Sequence, residues 1–581
     1  MSDFLFSTRR RPPGALRDVL AACLGPVSAA IHEWHGGWGS LAVARAAHDA
    51  EVVRDDAGRV SVVLGEPLLH EPSSTPRAAT AGPPRRALHA LLADDGVAWD
   101  ERVDGPFALL SVDTAGGRGR VVTDLFAWIP LYAAQAGGAL LLGSHPDATA
   151  DAAGARDAVD PVSAAEMVSY WTITHPHTLY QGVMQLPPGS ERAFGPGGWE
   201  GDARTYWRPV ERTGFPSPGD AAEALRVAFV HDVEAAVEPH ATAGVLLSGG
   251  EDSRAVLGAI PPRVETRGFT FAEADNREVR SARRVARAYG AGHAFGLREH
   301  GKDLRDLPVV ARMVGSQNHF LDVHSFGMHE TLGLQALPIV LGGFSSDALL
   351  KADNVLPPAQ RQIRRGQPPD PRPYRPQPVP GVREELLAAA HERRERFRLA
   401  LRELRPESGD EWSRIYPFTM RKYAANHHGN RRLFRAHEPY MSNRVVKLAA
   451  EVPQAWKVDR RLFSAAFRPL LARSWYVPHT RNRFPYLPTP LNAALRPVLG
   501  AARRARALLT GTLRANQESW PIWEELAALP LMGEHAARYP LRDSAAGALL
   551  AESPDELAMA AEQWPALRRF VLLQLAYLTA P

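Results

Sequence analysis

The stretch "GVLLSGGEDSRAVL" at residues 244–257 constrains the fold more than any other part of the chain. A short apolar run bounded by glycine is typical of a strand that is buried on both faces, and the second apolar run has helical character. Between them, Ser248, Gly249 and Gly250 allow a sharp turn that brings backbone N–H groups close to an anion at a helix N-terminus. The stretch therefore predicts a strand, a phosphate-binding turn and a helix.

A second segment repeats this pattern further along the chain. "PIVLGGFSSDALL" at residues 338–350 is an apolar run that ends in Gly342 and Gly343, with Asp347 a few residues later. Ligands of a parallel sheet bind outside the carboxyl ends of the strands, so we expect Asp252 and Asp347 to face one crevice. Carboxylate oxygens are ligands that Mg²⁺ prefers. The two segments together predict a site for magnesium and a nucleotide phosphate.

Two common phosphate-binding motifs do not fit the first stretch. A Walker loop has the pattern GxxxxGK[ST] and a dinucleotide-binding turn has GxGxxG, and the stretch has neither spacing. Glycine-rich turns also occur for packing alone. The first stretch by itself therefore leaves a purely structural turn open.

Composition excludes several other classes of protein. The chain has 581 residues, which favours more than one domain. Its formal net charge is +4, and it has no basic run interleaved with aromatic residues, so no nucleic-acid partner is expected. The single cysteine, Cys23, excludes an internal disulfide framework and suits a reducing cytoplasm; its apolar surroundings predict a buried thiol. No apolar stretch reaches the ~18 residues of a membrane span. We expect a cytoplasmic protein without a membrane partner.

Local patterns divide the chain in two. Residues 107–113, 120–124 and 139–144 predict an antiparallel sheet, and residues 163–174 predict a helix that Ser163 caps. From about residue 213, strands alternate with helices, which predicts a parallel sheet. Its predicted strands are 244–247, 266–271 and 338–341, and its predicted helices are 221–237, 254–259, 278–289, 382–404, 443–451 and 463–472.

Residues 356–380 interrupt this alternation with many prolines and arginines. Proline lacks an N–H and clashes with the preceding helical turn, so the segment predicts a long surface loop without a regular helix. The loop is either a linker or a lid that faces the substrate.

The histidines do not predict a zinc site. His319, His324 and His329 recur every five residues, which does not align them on one helical face, and the adjacent His427 and His428 point in different directions on a helix.

The order of motifs along nearly the whole chain resembles the asparagine synthetase class B superfamily. "SGGEDS" is similar to the pyrophosphate (PP) loop of the N-type ATP pyrophosphatases, and "LGGFSSD" stands where that superfamily has its second glycine and aspartate loop. "DGPFALLSVD", "VVTDLFAWIPLYAA" and "LLLGSH" resemble its glutamine-amidotransferase domain. The resemblance implies an α/β plus α+β chain: an N-terminal Ntn-hydrolase-like αββα sandwich in residues 1–210, and a PP-loop parallel sheet with extra helices in residues 211–581.

The resemblance also implies ATP and Mg²⁺ as cofactors and a set of site residues. Asp252 and Asp347 are the expected metal ligands. The expected nucleotide-binding residues are Leu247, Ser248, Gly249, Gly250, Asp252, Ser253, Phe271, Gly342 and Gly343, with the backbone near Phe271 pairing with the adenine edge. The expected catalytic residues are Asp252, Asp347, Glu438 and Arg483.

Two of these roles rest on imperfect matches. When residues 439–442 are aligned with the superfamily's "PFLD" stretch, Arg435 stands where an acid is usual, and Glu438 is out of register. Glu438 is a base for the amine or a charge that favours the following helix. Arg481 or Arg483 is the basic residue that steadies the adenylate, or both belong to an ordinary surface loop. Tyr423 is a weaker candidate.

A further departure bears on the reaction. Relatives with glutaminase activity have a cysteine directly after the initiator methionine, whose thiolate attacks glutamine, and here that residue is Ser2. We therefore expect no glutaminase activity and an amine supplied by the substrate itself. This logic points to the branch of β-lactam synthetases and lasso-peptide macrolactam cyclases.

The expected activity is an AMP- and pyrophosphate-forming amide synthetase that closes an intramolecular amide in natural-product biosynthesis. Its expected partners are a precursor peptide, or another substrate that carries a carboxylate and an amine, with a leader-binding protein and a leader peptidase. An asparagine synthetase-like enzyme that uses free ammonia on a small carboxylate remains the alternative. A non-catalytic scaffold is the third possibility, because a fold can outlive its chemistry.

Overall fold

The computed structural model describes residues 2–46, 48, 52–54, 58–70, 77–78, 82–371, 374–479, 483–487, 489–509 and 516–581. The N-terminal part is built from β-strands with a few helices. Its strands are β1 (Ser2–Ser7), β2 (Ala30–Gly36), β3 (Gly39–Arg45), β4 (Val53–Arg54), β5 (Arg59–Gly65), β6 (Leu68–Leu69), β7 (Arg77–Ala78), β8 (Val103–Asp104), β9 (Phe107–Asp113), β10 (Gly119–Thr123), β11 (Tyr132–Ala136), β12 (Ala139–Gly143), β13 (Val183–Gln185), β14 (Ser190–Gly195) and β15 (Gly198–Thr205). Its helices are α1 (Ala15–Leu24), α2 (Gly82–Leu91), α3 (Trp99–Arg102), α4 (Pro146–Ala153) and α5 (Pro161–Tyr170).

Two antiparallel six-stranded sheets form the centre of this part. Their strand orders are β13-β11-β12-β1-β3-β2 and β15-β14-β10-β9-β5-β4. Alternate residues of both sheets, such as Phe6, Leu142, Val62 and Leu110, meet in one buried cluster between them. Helices α1 and α4 cover the outer face of the first sheet, and the end of α2 packs against β9 and β10 of the second. The expected αββα sandwich is confirmed.

The C-terminal part has one parallel sheet among many helices. Its strands are β16 (Thr242–Leu246), β17 (Glu265–Ala272), β18 (Gly292–Leu297), β19 (Val340–Leu341) and β20 (Ala436–His437). Its helices are α6 (Pro218–Val237), α7 (Glu251–Ala259), α8 (Arg277–Tyr289), α9 (Lys302–Arg305), α10 (Leu307–Val314), α11 (Met328–Thr331), α12 (Ser346–Leu350), α13 (Pro357–Arg364), α14 (Glu384–Leu404), α15 (Gly409–Trp412), α16 (Ala424–Leu433), α17 (Asn443–Glu451), α18 (Gln454–Lys457), α19 (Arg461–Leu471), α20 (Thr489–Leu509), α21 (Trp523–Ala527), α22 (Pro530–Arg538), α23 (Ala545–Leu550), α24 (Pro554–Ala561) and α25 (Ala566–Leu578).

The strand order of this sheet determines where a ligand can bind. The order is β18-β17-β16-β19-β20, with every neighbouring pair parallel. The chain therefore runs outward from β16 in one direction as far as β18, and then returns to the other side of β16 for β19 and β20. Ligands of open parallel sheets bind at such a reversal of direction, which here lies between the carboxyl ends of β16 and β19.

Buried charges and aromatic rings join the two parts. Asp3 on β1 is an ion-pair partner of both Arg431 and Arg432 on α16, at 2.8 Å each, and all three side chains are buried. The ring of Phe126, which follows β10, meets the ring of Tyr416 edge-on, with 5.0 Å between their centres. These contacts hold the sandwich against the parallel sheet. Among the described residues, no helix has the length and apolar character needed to cross a membrane.

Three predictions about local structure are wrong. Residues 356–380 contain helix α13, because Pro357 and Pro358 stand in its first turn, where an N–H has no helical partner in any case. Helix α5 is capped by Asp160, whose carboxylate accepts from the N–H groups of Val162 and Ser163, and the cap is therefore not Ser163. Helix α7 begins at Glu251 rather than at residue 254.

Candidate active site

The turn after β16 is held by its own hydroxyl groups. Ser248 Oγ accepts from Gly250 N at 3.1 Å, and Ser253 Oγ accepts from Ser248 N, also at 3.1 Å. The turn passes directly into α7 without a side-chain cap, so the first N–H groups of the helix lie beside Gly249 and Gly250. A helix N-terminus that follows a turn of small residues favours a negatively charged ligand.

Hydrogen bonds from Arg254 hold this turn in position. Its side chain is fully buried and donates to Gly249 O at 2.9 Å, to Val477 O at 2.7 Å and to Pro478 O at 3.3 Å. Burial lowers the pKa of Arg254 to about 10. Since its donors are used by carbonyl groups, this arginine shapes the turn and joins it to residues 477–478.

The second glycine turn touches the first. A Cβ atom on Gly343 would lie 2.9 Å from Ser253 N and 3.1 Å from Asp252 Cβ, so only glycine allows this approach. Gly342 is close to Glu438 in the same way, because its Cβ would lie 2.1 Å from Glu438 Oε1. The structure thus brings Asp252, Ser253, Gly342, Gly343 and Glu438 together at the carboxyl ends of β16, β19 and β20.

A buried lysine connects the two predicted metal ligands. Lys351 forms an ion pair with Asp252, and its charge also lowers the pKa of Asp347. Asp347 Oδ1 accepts from Arg421 Nη2 at 2.8 Å, and the side chain remains 43% exposed. The pKa of Asp347 lies below its usual range because Arg421 and Lys351 outweigh the effect of burial. Both carboxylates are therefore influenced by the same buried lysine, and their joint binding of magnesium stays a prediction.

Three cations surround the carboxylate of Glu251, the first residue of α7 after the turn. Its buried carboxylate pairs with Lys351 at 3.2 Å, with Arg460 at 2.5 Å and with Arg483 at 2.5 Å. Although burial raises the pKa of Glu251, the three cations hold it well below its usual range. Arg483 thus lies next to the phosphate-binding turn, and its role in steadying the adenylate stays a prediction. Sequence reasoning missed Lys351, Arg460 and Glu251, although Lys351 follows Asp347 at the helical spacing of four residues.

Glu438 has the environment of a proton acceptor. The side chain is buried, and Oε2 accepts from Phe344 N at 2.9 Å. Burial raises the pKa of Glu438 to about 7, although the Phe344 N–H, His437 and Arg421 act in the opposite direction. A base works best when its pKa is near the working pH. The helix after it, α17, is capped by Ser442, so Glu438 does not serve as its cap.

The backbone predicted to pair with the adenine edge belongs to β17, the neighbour of β16 in the sheet. Phe271 is near the carboxyl end of β17, beside β16, and Phe269 O accepts from Leu247 N at 2.8 Å. Leu247 is buried directly before the turn. Leu247 and Phe271 therefore lie at the same end of the sheet as the glycine turns.

The donor set fits ATP and Mg²⁺. Asp252 meets Lys351 through Oδ1 and Asp347 meets Arg421 through Oδ1, and both side chains are partly exposed at the crevice. Mg²⁺ takes one or two carboxylates together with phosphate oxygens and water. Lys351, Arg460 and Arg483 supply positive charge beside the turn for a triphosphate. Among the described residues, no group of three or more acids, histidines and cysteines forms a separate metal site.

Several weaker candidates lie elsewhere. Arg435 pairs with Glu66 at 3.3 Å between the two parts of the chain, away from the crevice. Tyr423 is about half exposed and lines a cavity next to Asp347. Arg481 lies outside the described residues. Cys23 is buried in α1, which confirms the predicted buried thiol, and burial raises its pKa to about 12.

Two family models match the chain. A glutamine amidotransferase domain matches residues 86–207, and asparagine synthase matches residues 224–564, which is more than half of the chain. The chain belongs to the asparagine synthase family. Membership in the asparagine synthase family supports ATP-dependent amide-bond synthesis, and it agrees with the Ntn-hydrolase-like sandwich and the parallel sheet described above. No curated protein matches this family member.

Solved structures with similar parts are distant. One is "structure of the allosteric regulatory enzyme of purine biosynthesis", with 10% identity and a TM-score of 0.25, covering 51% of this chain and 65% of that one. Another is "glutamine phosphoribosylpyrophosphate (PRPP) amidotransferase from B. subtilis complexed with ADP and GMP", with 11% identity and a TM-score of 0.24, covering 53% of this chain and 70% of that one.

Proposed function

We propose that this protein is an AMP- and pyrophosphate-forming ligase that adenylates a carboxylate and closes an intramolecular amide, as a lasso-peptide cyclase does, in natural-product biosynthesis. The observation that carries the proposal is the contact between the two glycine turns, which brings Asp252 and Asp347 to one crevice at the reversal point of the sheet. The substrate is a precursor peptide that supplies both the carboxylate and the amine. A leader-binding protein and a leader peptidase complete the proposed pathway.

The proposed reaction has two steps. The substrate carboxylate attacks the α-phosphorus of ATP, and pyrophosphate leaves; the amine then attacks the acyl carbon, and AMP leaves. Asp252 and Asp347 would hold Mg²⁺, which would neutralise phosphate charge when bound. Ser248, Gly249, Gly250 and Ser253 bind the departing pyrophosphate through N–H and hydroxyl groups, and Arg483 steadies the charge beside it.

Glu438 is the proposed proton acceptor of the second step. A substrate ammonium loses one proton to solvent before it attacks, and it must lose a second as the amide forms. A carboxylate with a pKa of about 7 is suited to accept this second proton. Holding the amine beside the acyl group makes the step intramolecular, where effective molarities reach ~10⁵ M or more. Exclusion of water matters equally, because the acyl-adenylate hydrolyses.

The N-terminal part is proposed to lack glutaminase activity. Ser2 replaces the cysteine that this chemistry uses in relatives, and the adjacent Asp3 is tied to Arg431 and Arg432. An amine within the substrate then replaces released ammonia.

The test measures AMP and pyrophosphate release from ATP when a candidate linear peptide is added. We expect release with the wild type and none with Asp252→Ala, whereas Asp275→Ala, which changes a half-exposed carboxylate on the surface, keeps the rate. Exchange of labelled pyrophosphate into ATP by Asp252→Ala would contradict the proposal. A rate that depends on added ammonium, with glutamine inactive, would favour the alternative of a free-ammonia enzyme.

A further inference from the structure

A cavity of about 900 Å³ lies beside Asp347, and both parts of the chain line it. Tyr170, Trp171 and Thr172 at the end of α5 contribute one wall, and residues of α14, α25 and the segment before α16 contribute the others. A cavity of this size encloses a ligand much larger than a single carboxylate or phosphate ion. It opens next to the proposed adenylation site because Asp347 and Arg421 also line it.

The cavity has more positive than negative charge on its walls. Arg394, Arg414, Lys422 and Arg568 line it, and among the residues that the structure describes none of the four has a carboxylate within 4.0 Å. Arg421, in contrast, lines the same cavity and is paired with Asp347 at 2.8 Å. Charged groups that are partly removed from water are costly unless they are paired. The charge of Arg394 favours ionisation of the buried Glu166, so this cation is partly balanced. The three other cations, Arg414, Lys422 and Arg568, point to an anionic ligand.

Neutral groups hold these cations in place. Arg394, which is 3% exposed, donates to Thr172 O at 3.0 Å and to Thr172 Oγ1 at 2.7 Å, while its buried Nε has no hydrogen-bond partner. Lys422 Nζ lies 3.7 Å from the centre of the Trp171 ring. Desolvation, followed by the charges of Arg394 and Arg414, lowers the pKa of Lys422 to about 8, so an added anion is favoured beside it.

Trp171 is the residue at which α5 ends, and its N–H donates to Met167 O at 2.9 Å. Its φ angle is 63°, the left-handed conformation with which helices commonly end. The end of the helix thereby sets the place of the Trp171 ring beside Lys422. Tyr170 and Tyr374 add aromatic faces, each within 5.0 Å of the Arg394 guanidinium.

We propose that this cavity binds an acidic segment of the peptide substrate, through a second carboxylate that is not the one activated, and that Trp171, Arg394, Lys422 and Arg568 determine this specificity. The inference rests on the proposed function and names the substrate class of the same site. It also gives the amidotransferase-like part a role in substrate recognition, because Tyr170, Trp171 and Thr172 belong to that part. The aromatic faces suit apolar or ring-bearing residues next to the acid.

The test is a binding titration without ATP, followed by fluorescence anisotropy. The probes are two fluorescein-labelled nonapeptides of the same sequence, one with two glutamates and the other with glutamines at those positions. We expect the full-length wild type to bind the glutamate peptide about tenfold more tightly. The double variant Lys422→Gln, Arg568→Gln should reduce this ratio to about two, with the glutamine peptide unaffected.

The control removes two charges from the surface. The variant Arg118→Gln, Arg305→Gln changes side chains that are 75% and 46% exposed, and it should keep the tenfold ratio. Equal binding of both peptides by the wild type, or an unchanged ratio in the Lys422 and Arg568 variant, overturns the inference. Displacement of the glutamate peptide by an equal concentration of inorganic pyrophosphate overturns it too, because the cavity would then serve the leaving group.

The two proposals fail in different ways. If the ligase proposal is wrong, no AMP forms with any peptide, and the preference for the glutamate peptide is still measured because the titration contains no ATP. If the inference about the cavity is wrong, AMP forms but the binding ratio is near one.

Discussion

Substitution of Glu438 by glutamine tests the most unusual carboxyl group of the site. The group is 2% exposed, and burial raises its pKa from 4.5 to about 7. Each tenfold change in an acid dissociation constant corresponds to ~1.4 kcal/mol between the two protonation states, so ionisation of Glu438 costs the folded state about 3 kcal/mol. Glutamine has nearly the same shape and keeps an acceptor for the Phe344 N–H, but it does not ionise.

The direction of the pH effect depends on the raised pKa. Below about pH 4.5, Glu438 is neutral in both the folded and the unfolded chain, so the wild type and Glu438→Gln differ little. As the pH rises above 4.5, the unfolded chain ionises first and the wild type loses stability relative to Glu438→Gln, until the difference levels off above pH 7. The full difference of about 3 kcal/mol is therefore expected at pH 8.

Thermal unfolding at pH 5 and pH 8 measures this difference. In a part of the chain this large, 1 kcal/mol shifts the Tm by ~1–2 °C, so the Tm of Glu438→Gln should exceed that of the wild type by about 4 °C more at pH 8 than at pH 5. The exposed acid variant Glu392→Gln is the control, and its Tm difference should not change with pH. A Tm difference for Glu438→Gln that is the same at both pH values would refute the reasoning.

Three further changes test the contacts around the site. Gly342→Ala should lower the Tm and abolish activity, because the added Cβ would lie 2.1 Å from Glu438 Oε1. Glu438→Ala in the same chain should restore part of the Tm, and no recovery in this double variant would contradict the contact. Arg254→Met should lower the free energy of unfolding by about 3 kcal/mol, since three carbonyl groups, two of them buried, lose a donor. Unchanged urea unfolding would argue against this role. Asp3→Asn should cost about 3–5 kcal/mol in the same assay because Arg431 and Arg432 lose their buried partner, whereas Asp18→Asn at an exposed pair should cost less than 1 kcal/mol.

Short-range patterns predicted most elements of the parallel sheet. The apolar run before Ser248 and the one before Gly342 are strands at the expected places, and α17 has the predicted bounds of Asn443–Glu451. These elements were predictable because buried strands and amphipathic helices have periodic sequences. Helix α13 was not predictable in this way, because proline can end one helix and begin another. Which of the two it does depends on the residues that follow it.

The ionic surroundings of the site could not be predicted from the sequence. The sequence pattern of the turn assigns Glu251 no role, yet its carboxylate meets Lys351, Arg460 and Arg483 from distant parts of the chain. Likewise, the raised pKa of Glu438 depends on burial behind Gly342 and Phe344, which are far from it in sequence. Charge pairing across such separations has no periodic signal, whereas the two aspartates were predictable because each follows a strand end.

Arg254 and Glu251 together have a mechanical consequence. Arg254 ties the turn to the carbonyl groups of Val477 and Pro478, and Glu251 ties the start of α7 to Arg483. A displacement of the turn would break contacts with residues more than 200 positions later in the chain. Those late residues therefore resist a change in the shape of the phosphate-binding turn.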